Sequence, residues 1–170
     1  MNIRMAKAVL ILPGTALVYV PTLAVWFSRK GDLAAVFPPD SAQPWLLAAP
    51  FAIVGLWLMI WSVRVYRTHG GDGTPAPWDP IENFVATGPY LYVRNPMLIG
   101  VILFQGAEAA LLQSWPVFIW MLVFIVMNMI YFPLSEEPGL EKRFGETYRD
   151  YKLNVPRWIP RLTPWVPSDK

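Results

Sequence analysis

Lys7 and Arg29 bracket 21 residues without a charge, and Asp40 and Arg64 bracket another 23. A helix of that length crosses the roughly 30 Å hydrocarbon layer of a bilayer, so both stretches predict membrane spans, at about 8–28 and 43–63. The first resembles a signal peptide in following Arg4 and Lys7. Its apolar run is longer than a normal h-region, however, and it ends in Trp26-Phe27-Ser28-Arg29 without a small-x-small site, so we read it as an uncleaved anchor. Pro13 and Pro21 are expected to kink that helix without abolishing it, because neighbouring helices can satisfy the freed carbonyls.

From Met97 to Leu134 the chain is again apolar, apart from Glu108 and the polar break Gln113-Ser114. That break, followed by Trp115-Pro116, predicts a hairpin of two more spans, at about 97–112 and 116–134; the third is the shorter, and a re-entrant segment is its alternative, because about sixteen residues rise only about 24 Å. Ser114 is the expected cap and Pro116 lies in the first turn. The fold class is therefore all-α and integral to the membrane, a single domain with four transmembrane helices and a C-terminal interfacial helix. Four spans leave twelve of the 14 basic residues on one side with both termini, and only Arg29 and Lys30 on the other. The excess of positive charge places the termini and the loop 64–96 in the cytoplasm. Trp26, Trp45, Trp61, Trp115 and Trp158 fall near the predicted ends of the spans, as interfacial anchors do.

Only 15% of the residues are charged, against about a quarter in a soluble domain. The chain has no cysteine and one histidine, which excludes disulfides, thiolate chemistry and a multi-histidine metal centre. A net charge of +2 is too balanced for a nucleic-acid surface.

The tail 135–170 predicts an amphipathic helix on the membrane surface, with Leu140, Phe144, Tyr148 and Tyr151 at helical spacing between charged residues. The closing stretch from Val155 to Arg161 has prolines that forbid a regular helix, and its Trp and Arg pattern predicts an extended segment at the headgroups.

Two polar clusters share the cytoplasmic interface. Gly88-Pro89-Tyr90-Leu91-Tyr92-Val93-Arg94-Asn95-Pro96 ends where the third span begins. Asn95 and Pro96 are good cap and first-turn residues. Equally, a helix N-terminus beside Arg94 makes a carboxylate site, with Tyr90 or Tyr92 to cover a ring. In Ser135-Glu136-Glu137 the carboxylates either favour the dipole of a new helix capped by Ser135 or bind ammonium and hydroxyl groups. Glu108, the one acid inside a predicted span, reads first as structural. Gly70-Gly71-Asp72-Gly73 lacks nucleotide-loop spacing and reads as a connector, and His69 as polar surface. Met121, Met127 and Met129 read as packing and lipid contact.

Taken together, Gly88-Pro89-Tyr90-x-x-x-Arg94-Asn95-Pro96-Met97-x-x-Gly100, an apolar hairpin, and Glu136-Glu137-x-x-Leu140-x-x-x-Phe144-Gly145-x-x-Tyr148-x-x-Tyr151-x-x-x-Val155-Pro156-Arg157 resemble the isoprenylcysteine carboxyl methyltransferase and phospholipid methyltransferase superfamily. The resemblance covers about 84–161. It implies an integral-membrane methyltransferase using S-adenosylmethionine at the cytoplasmic face, with Tyr90, the stretch Asn95-Pro96-Met97-Leu98 and Glu136 contacting the cofactor. Arg94 and the third-span N-terminus suit the methionine carboxylate; Glu136 and Glu137 suit its amino group or the ribose.

Asn95 and Leu98 replace the family's usual histidine and tyrosine. Phe132 stands where prenylcysteine methyltransferases carry an arginine for the acceptor's carboxylate, so the expected acceptor is a different lipophilic molecule or lipid. The other class of function is a non-catalytic four-helix carrier or assembly subunit that keeps the fold. A carrier should place polar groups along a midplane path, whereas these cluster at one interface. The glycine- and proline-containing loop from His69 to Asn83 suggests a lid over the cofactor.

Overall fold

A computed structural model of the chain describes residues 3–28, 41–71 and 82–166. All regular structure among them is helical. Helix α1 (Ile3–Gly14) passes through a π-helical segment (Thr15–Tyr19) into α2 (Val20–Ser28). Then come α3 (Gln43–His69), a 3-10 turn (Gly88–Leu91), α4 (Pro96–Leu111) and α5 (Trp115–Tyr131), which continues through a second π segment (Phe132–Glu136) into α6 (Glu137–Asn154). Among the described residues, three continuous helices are long and apolar enough to cross a membrane: Leu10–Phe27, Gln43–His69, and the run beginning at Trp115. The expected third span is present as α4, but its 16 residues rise only about 24 Å, less than the hydrocarbon thickness. Arg29, Lys30 and most of the suggested lid lie outside the described residues.

The chain divides into two compact units, one of Met1–Trp57 with Gly100–Met127, the other of Leu58–Ile99 with Asn128–Lys170. In the first, a single proline dictates a polar contact among apolar helices. In the π segment the Val20 N–H bonds back five residues to the Thr15 carbonyl, bypassing Ala16. Pro21 has no N–H to offer Ala16 in its place. The orphaned Ala16 carbonyl instead accepts from Gln105 Nε2 on α4 at 3.1 Å and Trp120 Nε1 on α5 at 3.0 Å. Neighbouring helices thus satisfy a broken helix from the side, as an apolar environment demands.

The turn from α4 to α5 differs from the expected cap. Gln113 adopts a left-handed φ of 47°, Ser114 N–H donates to the Ala109 carbonyl, and Gln113 N–H to that of Ala110. These are the paired bonds of a Schellman ending. The Ser114 hydroxyl is buried with no hydrogen-bond partner; its carbonyl, not its side chain, opens α5.

The second unit is built around the tail. No helix starts at Ser135: α5 runs on through a π segment in which Glu137 N–H reaches Phe132, again just before a proline, Pro138. The break comes later, at Gly145 (φ 55°, ψ −131°), a conformation that a side chain would strain. Beyond it Tyr148, Tyr151 and Val155 are buried with Trp165, against Phe84, Ala86, Leu91, Leu140 and Phe144. The stripe expected to face lipid is therefore covered by the chain itself. The extended segment after α6 is stitched to the loop before α4 by three backbone bonds. Arg94 N–H donates to Pro156, Arg161 N–H to Tyr92 and Trp165 N–H to Leu91, each at 2.9 Å.

Candidate cofactor site

The Asn-Pro start of α4 and the π segment after α5 bring the two sequence clusters together within the second unit. Tyr90, Arg94, Asn95, Met97, Leu98, Phe132, Glu136 and Glu137 line one cavity. Pro96, also expected there, is fully buried at the first turn of α4 and does not line it. Tyr66, Phe84, Val85, Leu140, Tyr148 and Tyr151 complete the wall. Of these, the three tail residues were legible as an apolar stripe, whereas nothing in the sequence distinguishes Tyr66 from its helix neighbours.

The loop holding Tyr90 is fixed by packing and one buried hydrogen bond. Tyr90 is 4% exposed, its ring meets that of Tyr66 edge-on at 5.1 Å, and its carbonyl accepts from the Tyr151 hydroxyl at 2.8 Å. Burial, reinforced by Tyr66, holds the Tyr90 phenol well above its ordinary range. It is a neutral hydroxyl at physiological pH and no base.

The adjacent carboxylates have different surroundings. Glu137 is 2% exposed. Its Oε2 accepts from Arg157 Nη2 at 2.8 Å and lies 3.7 Å from Lys152 Nζ; its Oε1 accepts from Arg157 Nε and lies 2.9 Å from Arg94 Nη1. Glu136, by contrast, accepts a hydrogen bond from the Tyr131 hydroxyl at 3.3 Å. With no helix beginning here, neither glutamate is serving a helix dipole.

Among the residues lining the cavity, Arg94 keeps Nε and Nη1, and Asn95 its Nδ2, buried without a hydrogen-bond partner, Nη1 meeting Glu137 as an ion pair only. Buried polar groups in folded proteins nearly always have partners, and such donors on two residues of one cavity suit an anionic or carbonyl-bearing ligand. The cavity is thus lined by donor-bearing residues, by the Glu136 carboxylate and by aromatic rings. It encloses about 90 Å³, against the roughly 300 Å³ or more usual for small-molecule sites, so a larger ligand must displace wall side chains. Phe132 closes one side, its ring edge-on to Tyr131 at 5.7 Å and packed on Trp158 at 5.9 Å.

The remaining candidates lie elsewhere. His69 is exposed and its Nδ1 pairs with the Thr68 hydroxyl at 2.7 Å. Glu108 lines a separate cavity of the first unit, with Leu17, Pro21, Thr22, Val25 and Trp26. A larger cavity in that unit, about 490 Å³ between α3, α4 and α5, is almost wholly apolar and carries no polar cluster. Among the described residues no cluster of potential ligands could hold a metal ion.

Comparison with known proteins places these features in a family. Residues 45–147 match the family described as phospholipid methyltransferase. The chain is also 28% identical over 129 residues to methanethiol S-methyltransferase 2 of Bradyrhizobium diazoefficiens, an alignment covering 67% of this chain and 48% of that protein. The chain thus spans about half the length of the curated relative it matches. No solved structure matches it.

Proposed function

Because this chain belongs to the phospholipid methyltransferase family, we propose that it is a membrane methyltransferase that binds S-adenosylmethionine in the cavity of its second unit and methylates a lipophilic acceptor without a carboxylate. The observation that carries the cofactor assignment is that Arg94 and Asn95, whose Nε, Nη1 and Nδ2 are buried without hydrogen-bond partners, line the same cavity as Glu136. An amino-acid ligand needs that pairing of donors for its carboxylate and an acceptor for its ammonium. Glu136 equally suits ribose hydroxyls, and Tyr66, Phe84 and Tyr148 offer ring faces and edges.

The residues present therefore fit the cofactor chemically. When bound, it supplies an activated methyl group open to in-line displacement. What the chain contributes is position: Arg94 and Glu136 anchor the two ends of the charged moiety, and the apolar wall excludes water from the reacting atoms. No nucleophilic side chain is required.

Phe132 supports the choice of acceptor. Its ring lies between Tyr131 and Trp158, an apolar wall that offers no cation to an acceptor carboxylate, while Arg157 is already bidentate on Glu137. A prenylcysteine is disfavoured on that ground, and a neutral lipophilic acceptor, including a thiol, is favoured. The asymmetry of basic residues in the sequence supports a cytoplasmic position for this cavity.

Calorimetric titration of S-adenosylhomocysteine into the detergent-purified chain tests the reading. Micromolar binding that Glu136→Gln abolishes is the expected result; a well-folded wild type that binds nothing would overturn it.

A further inference from the structure

Arg157 does not line the cavity, yet its geometry governs how much of Arg94 the cavity can use. Both oxygens of Glu137 accept from Arg157, through Nε and Nη2, in a fork-to-fork pair. Arg94 approaches only one of those oxygens, through Nη1, and leaves its Nε buried and unpartnered. The Tyr148 and Tyr151 hydroxyls are further polar neighbours of Arg94. The group of one carboxylate and two guanidiniums therefore keeps a surplus positive charge; Lys152, 3.7 Å from Glu137, has Glu141 nearer, at 3.4 Å, as its own counter-ion. A carboxylate satisfied by one arginine cannot also take the second in a bidentate grip.

We infer that Arg157 is a positioning residue: by occupying Glu137 it holds Arg94 open, so that the surplus charge and the free Nε face an anionic group of the ligand. Without Arg157, Glu137 can turn its second oxygen onto Arg94, close the fork and neutralise it. The extended segment carrying Arg157 is the one whose Pro156 carbonyl accepts from the Arg94 backbone N–H. One strand of chain thus fixes both the backbone of Arg94 and the charge of its side chain. This inference rests on the cavity being the cofactor site.

The test compares two ligands on the full-length chain in detergent. S-adenosylhomocysteine carries the carboxylate; 5′-methylthioadenosine keeps the nucleoside and thioether but lacks the amino-acid end. Arg157→Gln is expected to weaken S-adenosylhomocysteine by about tenfold or more and to leave 5′-methylthioadenosine within about twofold. Arg157→Lys, which keeps a charge but not the fork, should fall between wild type and Arg157→Gln for the first ligand and match wild type for the second. If Arg157→Gln does not fold, Arg157→Lys carries the comparison. Equal losses for both ligands would reduce Arg157 to a folding role, and unchanged S-adenosylhomocysteine affinity would remove it from the site; either overturns the inference. A wild type that binds neither ligand would instead defeat the cofactor assignment on which it stands.

Discussion

Replacing each of the two adjacent glutamates with glutamine should produce opposite phenotypes. Glu137 is the only carboxylate within ion-pair distance of Arg94 among the described residues, and the Arg94 side chain is 11% exposed. Removing its charge leaves Arg94 buried without an anion and takes the bidentate partner from Arg157, which is 27% exposed. Breaking a buried pair this way costs about 3–5 kcal/mol. Water can reach Arg157 and Lys152, which brings the expected loss for Glu137→Gln to roughly the lower end, about 3 kcal/mol. Glu136 meets one exposed hydroxyl, so Glu136→Gln should change stability by no more than about 0.5 kcal/mol while abolishing ligand binding. Denaturant unfolding in mild detergent, followed by tryptophan fluorescence, measures the first quantity, and calorimetry the second. In the Glu137→Gln, Arg157→Gln double variant the two losses should fall short of additive by more than about 1 kcal/mol, because both remove the same pair. The reasoning fails if Glu137→Gln unfolds like wild type, or if Glu136→Gln is destabilised as much as Glu137→Gln.

Two further perturbations probe the first unit. At Gly55 an added Cβ would lie 2.7 Å from the Gly100 carbonyl oxygen and 3.0 Å from the Phe104 nitrogen, both backbone atoms. Gly55→Ala should therefore force α3 and α4 apart and cost about 1–3 kcal/mol in the same unfolding assay; a loss below about 0.5 kcal/mol would show that the approach is not tight. The Ala16 carbonyl has two donors, so Gln105→Leu or Trp120→Phe alone should cost about 1 kcal/mol, whereas the double variant strands a buried acceptor and should exceed the sum of the two. Simple additivity would show that the orphaned carbonyl finds another partner.

Those features that depend on local chemistry could be read from the residues alone. Uncharged stretches of 21 and 23 residues announce membrane helices wherever they occur, and Asn95-Pro96 announces a helix start. Clustering of Tyr90, Arg94, Asn95 and Glu136 on one cavity could be expected from two motifs flanking a hairpin, because a hairpin returns the chain to the side it left. The roles of the two glutamates could not. As neighbours in sequence they are chemically identical, and what separates them is a one-residue shift in helical register at Phe132–Glu136 and partners 15 and 20 residues further on. In the tail, the stripe of Leu140, Phe144, Tyr148 and Tyr151 could be read from the spacing and stays in one cluster across the break at Gly145, but what covers it could not. Tyr148 and Tyr151 are buried against Phe84, Ala86 and Leu91 of the loop before α4 and so are no lipid-facing surface. Val155, extended where α6 ends, starts the chain back along Leu91–Arg94 and delivers Arg157 to Glu137. The point at which α6 ends thus helps determine which arginine the buried carboxylate satisfies, and through it how much positive charge the cavity retains.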